Sequence, residues 1–181
     1  MYGPKGVGAL YVRKGTAIYP SILGGKQEMG LRAGTSNVPG IIGFAKACEL
    51  AIKNQEKERD RLGKLRDQLI NEILKIPGSR LNGHAAERLA NNVNVSFSGI
   101  ESEALLFYLD AAGIYASAGS ACHTGTISPS HVLLALGLSS ELAQGSLRLT
   151  LGKSTKLVDI AYVSKILSTT IDKLRSVSRE R

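Results

Sequence analysis

Cys122 stands in ASAGSACHTGTISPSH, residues 116–131, a run of Ala, Ser, Gly and Thr that offers a buried sulfur almost no apolar partner. A structural cysteine wants apolar neighbours, so this one reads as an exposed thiol on a loop of small residues, and the chemistry of an exposed thiolate is nucleophilic attack. A loop cysteine with no role is the competing reading. His123 beside it does not make a dyad by adjacency, because neighbouring loop residues often point apart. Arg148, in GSLRLTLG, is the second candidate. Leu147, Leu149 and Leu151 fall on one face of a predicted strand and Arg148 with Thr150 on the other; if that other face is buried the guanidinium needs an anion, and a substrate carboxylate suits its fork. A plain surface arginine is the alternative. The third candidate is RAGTSN, Arg32 to Asn37, which sets a fork donor, a flexible glycine and a hydroxyl just ahead of a helix N-terminus, either as an anion site or as a capping loop without ligand.

Two further patterns carry no chemistry. GKST at Gly152 to Thr155 resembles the end of a phosphate-binding loop, but that motif needs a glycine where Leu147 stands, so Ser154 or Thr155 is expected to cap the last helix instead. His84, His123 and His131 are isolated and there is no Cys-x-x-Cys, so no metal site is expected.

The elements that must position these residues follow from periodicity. GVGALYVR, Gly6 to Arg13, reads as a strand after the Gly3-Pro4 turn, and residues 24–40 form a glycine-rich loop. Apolar residues then recur at helical spacing from Ile41 to about Ile76, where Pro77-Gly78 stops them. NNVNVSF, Asn91 to Phe97, alternates as a strand, and Ser102 is expected to cap a helix over Glu103 to Ala112. A strand at Ile114 to Ser117 leads into the cysteine loop. A short helix near Ser130 to Leu136, a strand over Ser146 to Leu151 and an amphipathic helix from Thr155 to about Val177 complete a small α+β domain with at least three strands.

Composition narrows the class of protein. A chain of 181 residues, 43% hydrophobic, can bury a substantial core, and no apolar run is long enough to span a bilayer. The start lacks the layout of a signal peptide, which leads us to expect a cytoplasmic protein with reduced thiols and no Cys48 to Cys122 disulfide. The net charge of +8 is spread over stretches such as residues 54–67 that interleave both signs, and with 5% aromatics there is no stacking platform, which argues against nucleic acid as a partner.

Four segments together resemble a known family. YGPKGVGALYVRKG at the start, GGKQEMGLRAGTSNVPGIIGFAKA at 24–47, SAGSACHTGTISPSHVLLALG at 117–137 and SLRLTLGKST at 146–155 resemble, in order and spacing, the C-terminal half of the cysteine desulfurases. These are pyridoxal 5'-phosphate (PLP) enzymes of the class V aminotransferase superfamily. The resemblance implies the small α+β domain of a PLP-dependent transferase of the aspartate aminotransferase type. Residues 1–40 would be a remnant of the large PLP-binding domain, 41–76 the long connecting helix, and 77–181 the small domain with the cysteine loop. It implies that Cys122 takes sulfur from L-cysteine as a persulfide and passes it to an acceptor or scaffold protein, for iron–sulfur cluster or thio-cofactor synthesis, leaving alanine. Arg148 would hold the substrate carboxylate, and Thr35 would reach the phosphate of the other subunit's PLP in a homodimer.

Departures from the pattern qualify that expectation. The family's Schiff-base lysine precedes the apolar position that Met1 occupies, and Lys5 belongs to the turn, so this chain alone is expected neither to bind PLP covalently nor to be active. Met29 to Leu31 is less basic than in many relatives, which bears on acceptor docking. His123 stands where Thr is common, a pairing with Cys that selenocysteine lyases share. A selenocysteine lyase, and a non-catalytic interaction module or one half of a split enzyme, are the alternatives.

Overall fold

A computed structural model describes residues 1–118 and 129–179. It divides into two compact units, Met1–Glu56 and Lys57–Arg181, with the boundary inside helix α1, Val38–Ile73.

In the first unit, Asn37 starts α1: its Oδ1 accepts a hydrogen bond from the Gly40 amide at 3.1 Å, satisfying one of the donors a helix start leaves unpaired. Pro4 lies against Gly43, and Gly3 against Ala47. The expected strand over Gly6 to Arg13 is not formed; a strand exists through its ladder, and none of the described residues pairs with this stretch. The apolar residues it would have presented are left outside, with Leu10 and Tyr11 81% and 87% exposed.

The second unit holds the core. Leu62, Leu65, Leu69 and Ile73 keep one face of α1 toward it. A three-stranded antiparallel sheet follows in the order β1 (Ser79–Leu81), β2 (Asn92–Phe97), β3 (Ser146–Thr150). Val93, Val95 and Phe97 of β2 and Leu147 and Leu149 of β3 are buried on one sheet face, which α1, α2 (Ser102–Ala111) and α5 (Leu157–Arg179) cover with Ile73, Leu105, Leu109, Leu167 and Ile171. A small satellite core of Leu133, Leu138 and Ala143 joins α3 (His131–Ala135) to α4 (Ser140–Gln144).

Several expectations shift. The third strand is β1, not Ile114 to Ser117, which contributes a single bridge from Ser117 to Arg148. Three residues were too short a run to announce β1. Ser102 lies inside α2 and does not cap it; its buried hydroxyl donates to the Ser146 carbonyl at 2.9 Å and to the Gln144 carbonyl, tying α2 to the start of β3. GKST is a structural turn. Thr155 Oγ1 accepts from the Gly152 amide at 2.9 Å, and Asp159 Oδ2, not a hydroxyl, takes the Lys156 amide at 2.8 Å. Arg61 of α1 donates to the Gly152 and Thr155 carbonyls at 3.0 and 2.8 Å, and its hydrogen bond to Glu58 holds that carboxyl below the usual range.

Two glycines separate packing from propensity. A Cβ on Gly145 would meet the backbone oxygen of Ile100 at 2.8 Å and that of Phe97 closer still, whereas one on Gly63, inside α1, meets nothing within 4 Å. Gly145→Ala is expected to destabilise the chain by about 2 kcal/mol or more, and Gly63→Ala to stabilise it by about 0.5 to 1 kcal/mol. Denaturant midpoints of the two variants check both signs.

Candidate functional site

Arg148 sits where the alternation of β3 requires. Leu147 and Leu149 point into the core, so the arginine faces outward and is exposed. The ladder fixes its neighbours. The Phe97 amide donates to the Gly145 carbonyl at 3.0 Å and the Leu151 amide to the Asn91 carbonyl at 2.9 Å. With a period of two, Asn94 and Arg148, which are register partners, therefore form a non-hydrogen-bonded pair, the kind in which Cα atoms approach to about 4.5 Å and side chains lie closest. The other edge of β3 is met by Ser117, whose carbonyl accepts from the Arg148 amide at 2.7 Å and whose amide donates back at 3.1 Å.

Opposed residues share a sheet face, so Asn94, Arg148 and Ser117 form a polar row across the strands. Asn82 extends it. Its amide hydrogen-bonds the Asn94 carbonyl at 2.9 Å, and its buried side chain donates to Asn94 Oδ1 at 2.7 Å and to Ser96 Oγ at 2.9 Å. Arg88 Nη2 takes the Asn82 carbonyl at 3.2 Å, and burial, with repulsion from Arg66, pushes that guanidinium below its usual range. No acidic residue stands in the row, and the Arg148 guanidinium has no hydrogen-bond or ion-pair partner among the described residues. A donor-rich face with an uncompensated guanidinium can hold an anion, and a planar carboxylate matches the fork.

The other candidates fall differently. Thr35 is exposed ahead of α1, in the first unit, and its hydroxyl has no partner among the described residues. Cys122 and His123 lie outside the described residues, between Ala118 and Pro129. Cys48 is half-buried on α1, its sulfur 3.9 Å from that of Met1. The sequence reading missed Asn94 and Asn82; the polar half of the NNVNVSF alternation was the available signal, but alternation alone does not say which residue stands opposite an arginine. Two cavities are described in the second unit, of about 570 Å³ beside Lys64 and Lys156 and about 540 Å³ beside Glu72 and Lys165, and Arg148 lines neither. Among the described residues no three His, Cys, Asp or Glu side chains gather to hold a metal, and no helix is long and apolar enough to cross a membrane.

The family model for aminotransferase class V matches residues 1–166. The chain belongs to the class V aminotransferase family. Cysteine desulfurase IscS 1 of Archaeoglobus fulgidus is 53% identical over 98% of this chain, and Cysteine desulfurase IscS of Methanosarcina thermophila 53% identical over 97%. The chain spans 47% and 44% of those proteins, under half of each. Among solved structures, a NifS-like protein matches with a TM-score of 0.82 at 36% identity, over 94% of this chain and 43% of its own length. A structure described as SspA in complex with cysteine matches at 0.56 and 34% identity, over 83% and 41%. The α+β architecture is thus part of the NifS-like fold, as the resemblance implied.

Membership of this family implies PLP in the complete enzyme. The Thr35 hydroxyl is exposed and has no partner among the described residues, two positions before the Asn37 cap of a helix of 36 residues whose N-terminal end favours an anion, an arrangement that would suit the phosphate of such a cofactor.

Thr35 and Arg148 thus have no structural duty within the described chain, unlike Asn37. Thr35→Ala and Arg148→Ala are each expected to leave unfolding free energy within about 0.5 kcal/mol, while Asn37→Ala costs about 1 kcal/mol through the lost cap. Chemical denaturation followed by circular dichroism measures all three, and a large loss for Arg148→Ala would assign that residue to the fold.

Proposed function

We propose that the chain is the C-terminal half of a PLP-dependent cysteine desulfurase, which takes sulfur from L-cysteine and leaves alanine. Residues 1–40 belong to its large domain, 41–76 are the connecting helix, and 77–181 are the small domain. The observation that carries the reading is Arg148, a guanidinium on an exposed face with no partner among the described residues, whose backbone is bonded to Ser117. Cys122 follows Ser117 by five positions in the chain. The names of the relatives and the cysteine bound to SspA point to the same substrate.

Each residue then has one task. Arg148 binds the substrate carboxylate through its fork and so sets which way the sulfur points. The Cys122 thiolate attacks that sulfur. The sulfur–carbon bond breaks, its electron pair stays on the substrate carbon, and that carbon takes up a proton to become the methyl group of alanine. Cys122 keeps the sulfur as a persulfide until an acceptor or scaffold protein removes it. PLP, when bound, supplies the electron sink that makes this carbon a tolerable leaving group. Thr35 donates its hydroxyl to the PLP phosphate of the opposite subunit in a homodimer.

The test uses the complete enzyme, with this chain joined to an N-terminal half of the kind its relatives carry. Cys122→Ser is expected to lower alanine formation from cysteine by at least about a hundredfold, whereas Cys48→Ser stays within about twofold. Arg148→Ala should raise KM by a factor corresponding to about 2 kcal/mol, the worth of a charge-assisted pair. Full cysteine turnover in Cys122→Ser would remove the nucleophile assignment. Turnover of selenocysteine alone in that variant would favour the selenocysteine lyase alternative, since a selenolate leaves more readily and needs the thiol less.

A further inference from the structure

Half of the Asn94 side-chain amide is used by the fold and half is not. Its side-chain oxygen is taken by Asn82 Nδ2 at 2.7 Å, and Asn82 is held in turn by its 2.9 Å bond to Ser96 Oγ and by its backbone bond to Asn94. Holding Asn82 this way leaves its own Oδ1 buried without a partner, a cost the sheet bears to fix one amide. With the oxygen committed, Asn94 presents Nδ2, which has no partner among the described residues and is not sealed in the core. That donor lies on the face of Arg148, across a non-hydrogen-bonded pair, where Cβ atoms stand about 5 Å apart.

A neutral donor fixed beside an uncompensated guanidinium is a two-point reader for an anion with two acceptor oxygens. An apolar residue at position 94 would keep the strand, and an acidic one would neutralise Arg148. An amide locked oxygen-inward does neither: it adds a hydrogen bond and no charge. We propose that Asn94, oriented by Asn82, donates to the same carboxylate as Arg148. Asn94 is then a substrate-binding residue and Asn82 a positioning residue. The inference rests on the desulfurase reading for the identity of that carboxylate, which is the α-carboxylate of the amino-acid substrate.

The experiment titrates the isotope-labelled 181-residue chain with sodium acetate, against sodium chloride at equal ionic strength, and follows the Arg148 Nε–H and Asn94 side-chain amide signals. Both signals are expected to move on one binding curve with acetate and not with chloride. Asn94→Asp keeps the acceptor that Asn82 needs and exchanges the free donor for a second acceptor, so it should weaken acetate binding at Arg148 at least tenfold with the backbone spectrum otherwise unchanged. Asn94→Leu removes the donor without adding charge, and should weaken binding about fivefold. Acetate binding that moves Arg148 alone and is indifferent to both variants overturns the role of Asn94 and leaves Arg148 as the carboxylate residue. Movement of neither signal, or equal movement with chloride, overturns the assignment of Arg148 as well.

Discussion

The burial of Leu147, Leu149 and Leu151 is the constraint on which the rest of the second unit depends. Leu147 and Leu149 of β3 and Leu151 just after it are 0%, 5% and 5% exposed, so the strand has one register in which its apolar half meets the core formed with α1, α2 and α5. A slip by one residue would bury Arg148 and expose the leucines, exchanging about 2 kcal/mol of favourable burial per leucine for the cost of a desolvated guanidinium. The outward face of Arg148, its placement opposite Asn94 and its backbone pairing with Ser117 are consequences of that choice. The chemistry of the site is positioned by side chains that never touch it.

The first unit obeys no such constraint within itself. Of its hydrophobic residues only Ala33 and Ala47 are buried, while Leu10, Tyr11, Tyr19 and Leu23 are each more than four-fifths exposed. Two alanines cannot offset the entropy of ordering more than fifty residues, and so many large apolar side chains left exposed call for a cover. That agrees with the proposed role of residues 1–40 as part of a larger domain, and with a chain that spans under half of its relatives.

Long-period patterns carried much of the fold in the sequence. The 36-residue α1, the alternation of β2 and β3 and the amphipathic α5 announce themselves through repeated apolar spacing. What depends on tertiary contact did not: β1 is three residues long, Ser102 looked like a cap and bonds instead to carbonyls forty residues away, and Gly6 to Arg13 had strand character with nothing to pair with. The site was legible to a similar depth. Arg148 and its outward face could be read from alternation, but its partner across the ladder could not, because register is settled by the Phe97–Gly145 and Leu151–Asn91 bonds and not by either strand alone.

The central claim is that sulfur passes from L-cysteine to Cys122. Peptide mapping by mass spectrometry tests it most directly, after brief exposure of the complete PLP-loaded enzyme to L-cysteine and alkylation of its thiols. The account predicts a gain of one sulfur atom on the peptide that carries Cys122 and none on the peptide that carries Cys48. Sulfur found on Cys48, or alanine released with Cys122 never modified, would contradict it.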